Sequence, residues 1–107
     1  MRKKITNLQR TYRRLNRKWF DNELPKDLDI TWMHLDGDRL AQCCYNGNGK
    51  AMFIEISEDI KYWPRTILWA LLHEMCHLLP PCINTHGAEF DKRMLSLAKR
   101  GAFHDVW

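Results

Sequence analysis

The chain has 107 residues, of which 45% are apolar and 28% charged, and a formal net charge of +4. That length makes one compact domain, so a single domain over residues 1–107 is expected. The composition excludes a disordered chain, and no apolar run approaches the ~20 residues of a membrane span. The basic start lacks the apolar core of a secretory signal, so a cytoplasmic chain acting as a monomer, away from membranes, is expected.

In chain order, Ile5, Leu8, Tyr12, Leu15 and Trp19 recur at alternating spacings of three and four, one apolar stripe of a helix. Thr6 and Gln9 suit a capping box at its start, and it should fade at Asp21–Glu23, ahead of Pro25. Residues 1–20 hold eight basic residues and no acidic one: Arg2, Lys3, Lys4, Arg10, Arg13, Arg14, Arg17 and Lys18. Most lie off the stripe, so they form a solvated face or a surface for DNA, with Arg10, Arg13, Arg14 and Arg17 the expected contacts.

Three strand-like segments follow. Asp29–Leu35 alternates Ile30, Trp32 and His34 against Thr31, Met33 and Leu35, and Arg39–Tyr45 comes after a turn at Asp36-Gly37-Asp38. Asn46-Gly47-Asn48-Gly49 then tolerates positive φ and marks a hairpin into Lys50–Ser57. An antiparallel-type sheet of three strands is the expectation. A second helix should begin near Pro64, where a missing N–H costs nothing. Its broad apolar set, Ile67, Leu68, Leu71, Leu72, Met75 and Leu79, implies a central, buried helix that Pro80-Pro81 ends. A third helix starts near Gly87, carries Phe90, Met94, Leu95 and Leu97, and stops at Gly101. Phe103 and Trp107 should pack back on the body. Trp19, Trp32, Trp63 and Trp69 read as core or rim, with base stacking as the alternative.

Cys43, Cys44, Cys76 and Cys82 do not read as a disulfide framework without a secretion signal. Adjacent residues on a strand face opposite ways, so Cys43 and Cys44 should be one inward and one outward thiol.

The chemistry concentrates in the second helix, at His73-Glu74-Met75-Cys76-His77, an HExxH pattern. Four residues advance a helix by about 400°, which leaves the two imidazoles about 40° apart on one face. Both rings then reach one ion at about 2.0–2.1 Å, as Zn2+ requires. Glu74, offset by about 100°, lies beside the ion, where a carboxylate takes a proton from water. Catalytic zinc commonly takes three protein ligands. His86, nine positions after His77 and before Gly87, is the leading third ligand. Glu89 is next, and His104 and His34 are weaker. Cys76 points away from His77 on the helix and reads as a buried thiol, and the cysteines lack the CxxC spacing of a structural zinc site.

With those residues in view, the chain resembles the SprT-like, or Spartan-like, metallopeptidases. The stretch LNRKWFDNELPKDLDITW is similar to the family's opening helix and first strand, LAQCCYNGNGKAMFIEISEDI to its hairpin, and LLHEMCHLLPPCINTHGAEFDKRM to its active-site segment with HExCH and a later HGxxF. The resemblance implies a minimal zincin-like α+β domain: an N-terminal helix, the sheet, the HExxH helix and a C-terminal helix. It implies zinc on His73, His77 and His86, with catalysis by Glu74. Eukaryotic relatives digest proteins crosslinked to DNA, and many relatives carry a C-terminal zinc-ribbon or other nucleic-acid-binding extension, whereas no cysteine follows Cys82 in this sequence.

The expected activity is peptide-bond hydrolysis on a protein or peptide substrate, with DNA-associated proteins as one class. A substrate segment is expected to pair with Lys50–Ser57 as an exposed edge strand. Tyr45, Tyr62 and His104 are the options for a second oxyanion donor. The alternatives are a zinc-stabilised nucleic-acid-binding module without peptidase activity, or an α+β domain with a structural metal.

Overall fold

A computed structural model describes residues 7–45, 51–79, 82–83 and 86–104. Helix α1 (Asn7–Trp19) leads into β1 (Asp29–Met33), β2 (Ala41–Tyr45) and β3 (Ala51–Ser57), and after one 3-10 turn come α2 (Pro64–Leu78) and α3 (Ala88–Lys99). The fold is α+β. Ile5 and Thr6, the turn at 46–49, Lys50, Pro80-Pro81 and Trp107 lie outside the described residues.

The apolar stripe of α1 buries Leu8, Tyr12 and Leu15, and half-buries Trp19. Asn16 shares that face and is 1% exposed. Its side-chain amide donates to Leu24 O at 2.8 Å, and its Oδ1 accepts from Leu24 N at 3.2 Å. A buried amide is stable only when satisfied in this way. The clasp pins the segment after the helix, where Asp21 and Asn22 take positive φ of 51° and 59°, a conformation their short polar side chains tolerate. Phe20, Leu24 and Leu28 are thereby drawn into the core.

The sheet differs from the antiparallel expectation. Its order is β1-β3-β2, with β1 parallel and β2 antiparallel to β3, so it is mixed. The hairpin pairing of β2 with β3 agrees with the Asn-Gly signal. The reading of Lys50–Ser57 as an edge does not, because β3 is the central strand. Burial gives the reason: Ile54 and Ile56 are 0% exposed, whereas every residue of β2 is only half-buried. The most apolar strand takes the place with neighbours on both sides. Ile30 and Trp32 align with Ile54 and Ile56, which align in turn with Cys43 and Ala41, making one face toward the helices. A register irregularity between Cys44 and Tyr45 follows on β2.

Helix α2 is the centre of the molecule. Ala70, Leu71, Leu72, Met75, Cys76 and Leu78 are all buried, as its broad apolar face requires. Pro64 occupies its first turn. Helix α3 buries Phe90 and Leu97, leaves Leu95 55% exposed, and buries the charged Arg93. It ends through Gly101, at φ 90°, with Ala102 N donating to Leu97 O and Gly101 N to Ala98 O. That is the glycine-terminated hydrogen-bond pattern of a Schellman stop. Phe103 packs back into the core. Among the described residues no helix is long and apolar enough to cross a membrane.

Candidate metal centre

The second half of α2 carries His73 and Glu74 side by side and His77 one turn on, the residue before the Gly87 cap of α3 is His86, and the first turn of α3 supplies Phe90. One ligand atom from each of His73, His77 and His86 lies within 4.8 Å of the other two. Their ring centroids form a nearly equilateral triangle, 5.1 Å from His73 to His77, 5.1 Å from His73 to His86 and 4.9 Å from His77 to His86. The one-turn spacing brings the first two together, and the chain between α2 and α3 returns the third.

Phe90 forms the floor. Its ring centroid lies 4.9, 4.4 and 4.8 Å from those of His73, His77 and His86, and it stacks on His77. Trp69, one turn before His73, covers that ring at 5.0 Å. Aromatic walls on two sides hold the imidazoles by shape and exclude water from their backs.

The hydrogen bonds fix which nitrogen of His77 faces inward. His77 Nδ1 is 2.9 Å from Ile83 O. A carbonyl only accepts, so Nδ1 carries the proton and Nε2 presents a lone pair. That Nε2 is 3.1 Å from His86 Nε2. Two nitrogens on one tetrahedral zinc at about 2.0–2.1 Å are about 3.3 Å apart, so this separation fits a shared ion. His73 Nδ1 is buried without a hydrogen-bond partner among the described residues. Three imidazoles gathered with one buried nitrogen unsatisfied form a group that could hold a metal ion. Burial lowers the His73 pKa to about 4, and the His77 and His86 charges add to the effect. Burial lowers that of His77 too. Both rings are therefore neutral, the state that ligates.

The other options do not join the cluster. The Glu89 carboxylate is turned to Arg93, with Oε1 3.3 Å from Nε. His34 is exposed and pairs with Asp36 at 3.7 Å, and His104 is exposed beyond α3. Cys76 is fully buried, and Cys82 Sγ donates to Leu78 O at 3.3 Å. All four cysteines are free thiols.

Glu74 is 7% exposed beside the triad. Burial pushes its carboxyl up to about 7, against the opposing pull of a Cys43 thiol hydrogen bond and of the Arg39 charge. A carboxyl in that range exchanges a proton near neutral pH. Cys43, facing inward from β2 as the strand alternation requires, was expected only as a thiol on one face. Its proximity to Glu74 follows from β2 lying against α2, which the order of strands decides.

An open cleft of about 380 Å³ runs between β2 and the triad. Arg39, Gln42, Cys43 and Tyr45 line one wall, and His73, Glu74, His77 and His86 the other. Of the oxyanion options only Tyr45 lines it. Tyr62 is 86% exposed at the start of α2, and His104 is not in the wall.

Arg93 carried no signal in the sequence. It is 8% exposed, and its Nη1 donates to Cys76 O at 2.8 Å and Leu79 O at 2.7 Å. These carbonyls sit at the end of α2, where the helix has no N–H left to offer them. The guanidinium therefore ties the helix carrying His77 to the helix that begins beside His86.

An α+β domain with a central HExxH helix and a triad of facing imidazoles defines a zincin-like metal-binding class. The sequence profile of the SprT-like family matches residues 8–104, and the chain belongs to that family, whose members are generally metallopeptidases. Among curated proteins none matches the chain.

Proposed function

We propose that the protein is a zinc-dependent peptidase, with His73, His77 and His86 as ligands and Glu74 as general base. The observation that carries this is the meeting of three imidazoles with a buried carboxylate at the base of an open cleft. Zinc in that place supplies Lewis acidity, which acidifies water and polarises a scissile carbonyl. The chain's own residues do the rest. Glu74 takes the proton from the attacking water and returns it to the leaving amine. His77, fixed by Ile83 O, and His86, over Phe90, hold the ligand geometry. Tyr45, which lines the cleft, is the proposed donor to the carbonyl oxygen as it gains charge.

The substrate strand pairs with β2 rather than β3. Strand β2 has an open edge among the described residues and forms the cleft wall. Backbone pairing along such an edge gives broad sequence tolerance. The proposed substrates include proteins associated with DNA. Arg10, Arg14 and Arg17 are exposed on α1, which supports a polyanion contact there, while Arg13 is taken up by Asp27 at 3.2 Å.

The test is Glu74→Gln in a zinc-replete peptide assay, with and without single-stranded DNA. Zinc content should be unchanged and turnover should fall about 10³-fold or more. Equal turnover in variant and wild type would end the reading. DNA binding without any wild-type turnover would favour the zinc-stabilised nucleic-acid-binding module.

A further inference from the structure

Arg39 stands at the mouth of the cleft and is unlike the rest of its wall. It is exposed and lies two positions before the start of β2, with Leu40 between. Its Nη1 donates to Gln42 Oε1 at 2.7 Å, and Gln42 Nε2 donates to Glu55 Oε1 at 2.5 Å. The chemistry of the ends fixes the amide between them, since a guanidinium only donates and a carboxylate accepts. Gln42 pairs with Glu55 across the strands, on the sheet face turned away from α2. Cys43, next along, faces α2 and Glu74. The guanidinium is thus anchored on the outer face of β2, yet it lines the cleft on the inner side and its charge reaches Glu74.

This places a fixed cation across the open edge of the strand. Among the described residues lining the cleft, Arg39 is the permanent cation and Glu74 the only acid. Glu74 is buried at the base, and no carboxylate among the described residues lies within ion-pair distance of Arg39. One of its five N–H donors is committed to Gln42, which leaves a fork of donors for a planar anion. A carboxylate matches that fork bidentately, which adds geometric specificity to the charge pairing.

We propose that Arg39 is a specificity-determining residue that receives a carboxylate of the substrate, either an acidic side chain beside the scissile bond or the chain's own C-terminus. This deepens the peptidase reading and rests on it for the identity of the ligand. Tethering through Gln42 and Glu55 pre-orients the guanidinium, so less rotamer freedom is lost on binding.

The test uses the zinc-loaded full chain and two peptide sets. One scans Glu against Gln through the positions flanking the cleaved bond, and the other compares free-acid with amidated C-termini. Wild type should favour the acid by about tenfold or more in kcat/KM, chiefly through KM, in one of the sets. Which set responds identifies the source of the carboxylate. Arg39→Gln should bring the acid-to-amide ratio to about one, and Arg39→Glu should turn the preference toward Lys. Gln42→Ala, which frees the guanidinium without removing it, should shrink the ratio but keep its direction. The same peptides titrated onto Glu74→Gln give a readout that needs no turnover. A flat ratio in both sets and in the titration, or one that survives Arg39→Gln, would overturn the inference. So would an equal slowing of every peptide by the Arg39 variants, which would assign the guanidinium to Glu74 or the oxyanion. Acid-selective binding without wild-type turnover would sustain the Arg39 site and sink the peptidase reading.

Discussion

The two walls of the cleft are built by opposite rules. The helical wall, from α2, the residues just before α3 and α3 itself, is buried at its base and over-determined, with His86 alone of the three imidazoles exposed. Glu74 and His77 are each 7% exposed, Phe90 lies under all three rings, and Arg93 ties the two helices together. The strand wall, β2, has no fully buried residue and no neighbour beyond its outer edge among the described residues. Chemistry that needs ligands held to fractions of an ångström belongs on the first kind of wall. Recognition of varied peptides belongs on the second, where open backbone groups and an anchored side chain meet the substrate. Loss of the supports of the helical wall, Phe90 or Arg93, should therefore cost stability and metal together, whereas changes along the open edge of β2 should alter selectivity.

The sharpest way to break that contrast is Arg93→Met, which keeps the apolar stem and removes the donors. Cys76 O and Leu79 O lose a buried cationic partner, so the chain should lose about 3 kcal/mol of unfolding free energy by denaturant titration. Zinc affinity should fall with it, because His77 and His86 lie on either side of this clamp. A loss under about 0.5 kcal/mol, the size of an ordinary surface change, would mean that α2 and α3 are held by their apolar contacts alone.

A smaller effect sharpens the comparison from within the helical wall. The Glu74 carboxyl titrates near 7 when folded against an ordinary value of 4.5. The folded chain therefore keeps a proton that the unfolded chain gives up between those values. The stability this represents is complete below about 4.5 and is lost as the pH rises through about 7. Glu74→Gln removes the loss, so the metal-free variant should gain about 2 kcal/mol over wild type at pH 8 and almost nothing at pH 4. His73 acts with the opposite sign. Its pKa is about 4 when folded against an ordinary 6.5, so it costs stability as the pH falls through that window in both proteins alike. A gain from Glu74→Gln that is equal at the two pH values would place the carboxyl in solvent.

What was legible in the sequence divides along the same line. The HExxH spacing and the Pro64 start placed His73, Glu74 and His77 on one helix, because helical geometry alone decides it. The third ligand needed the chain between α2 and α3 to return; its place after the Pro80-Pro81 break and before Gly87 put His86 ahead of Glu89, and the family resemblance agreed. The order of strands was not legible: alternation in Ile30, Trp32, Ile54 and Ile56 states which face is apolar, not which strand lies between the others. The edge position of β2 and the meeting of Cys43 and Arg39 with Glu74 follow from that order, so they were hidden too. Nothing in the sequence marked Asn16 or Arg93 as buried, since a polar residue enters a core only where tertiary structure supplies its partners.

The central claim is that three imidazoles and no sulfur hold one ion with a position left open. Zinc K-edge absorption of the metal-loaded chain tests it most directly. The account predicts about three imidazole nitrogens near 2.0–2.1 Å and one further light atom that exchanges with solvent. A sulfur scatterer near 2.3 Å, from Cys43 or Cys82, would contradict it by closing the shell with a cysteine thiolate.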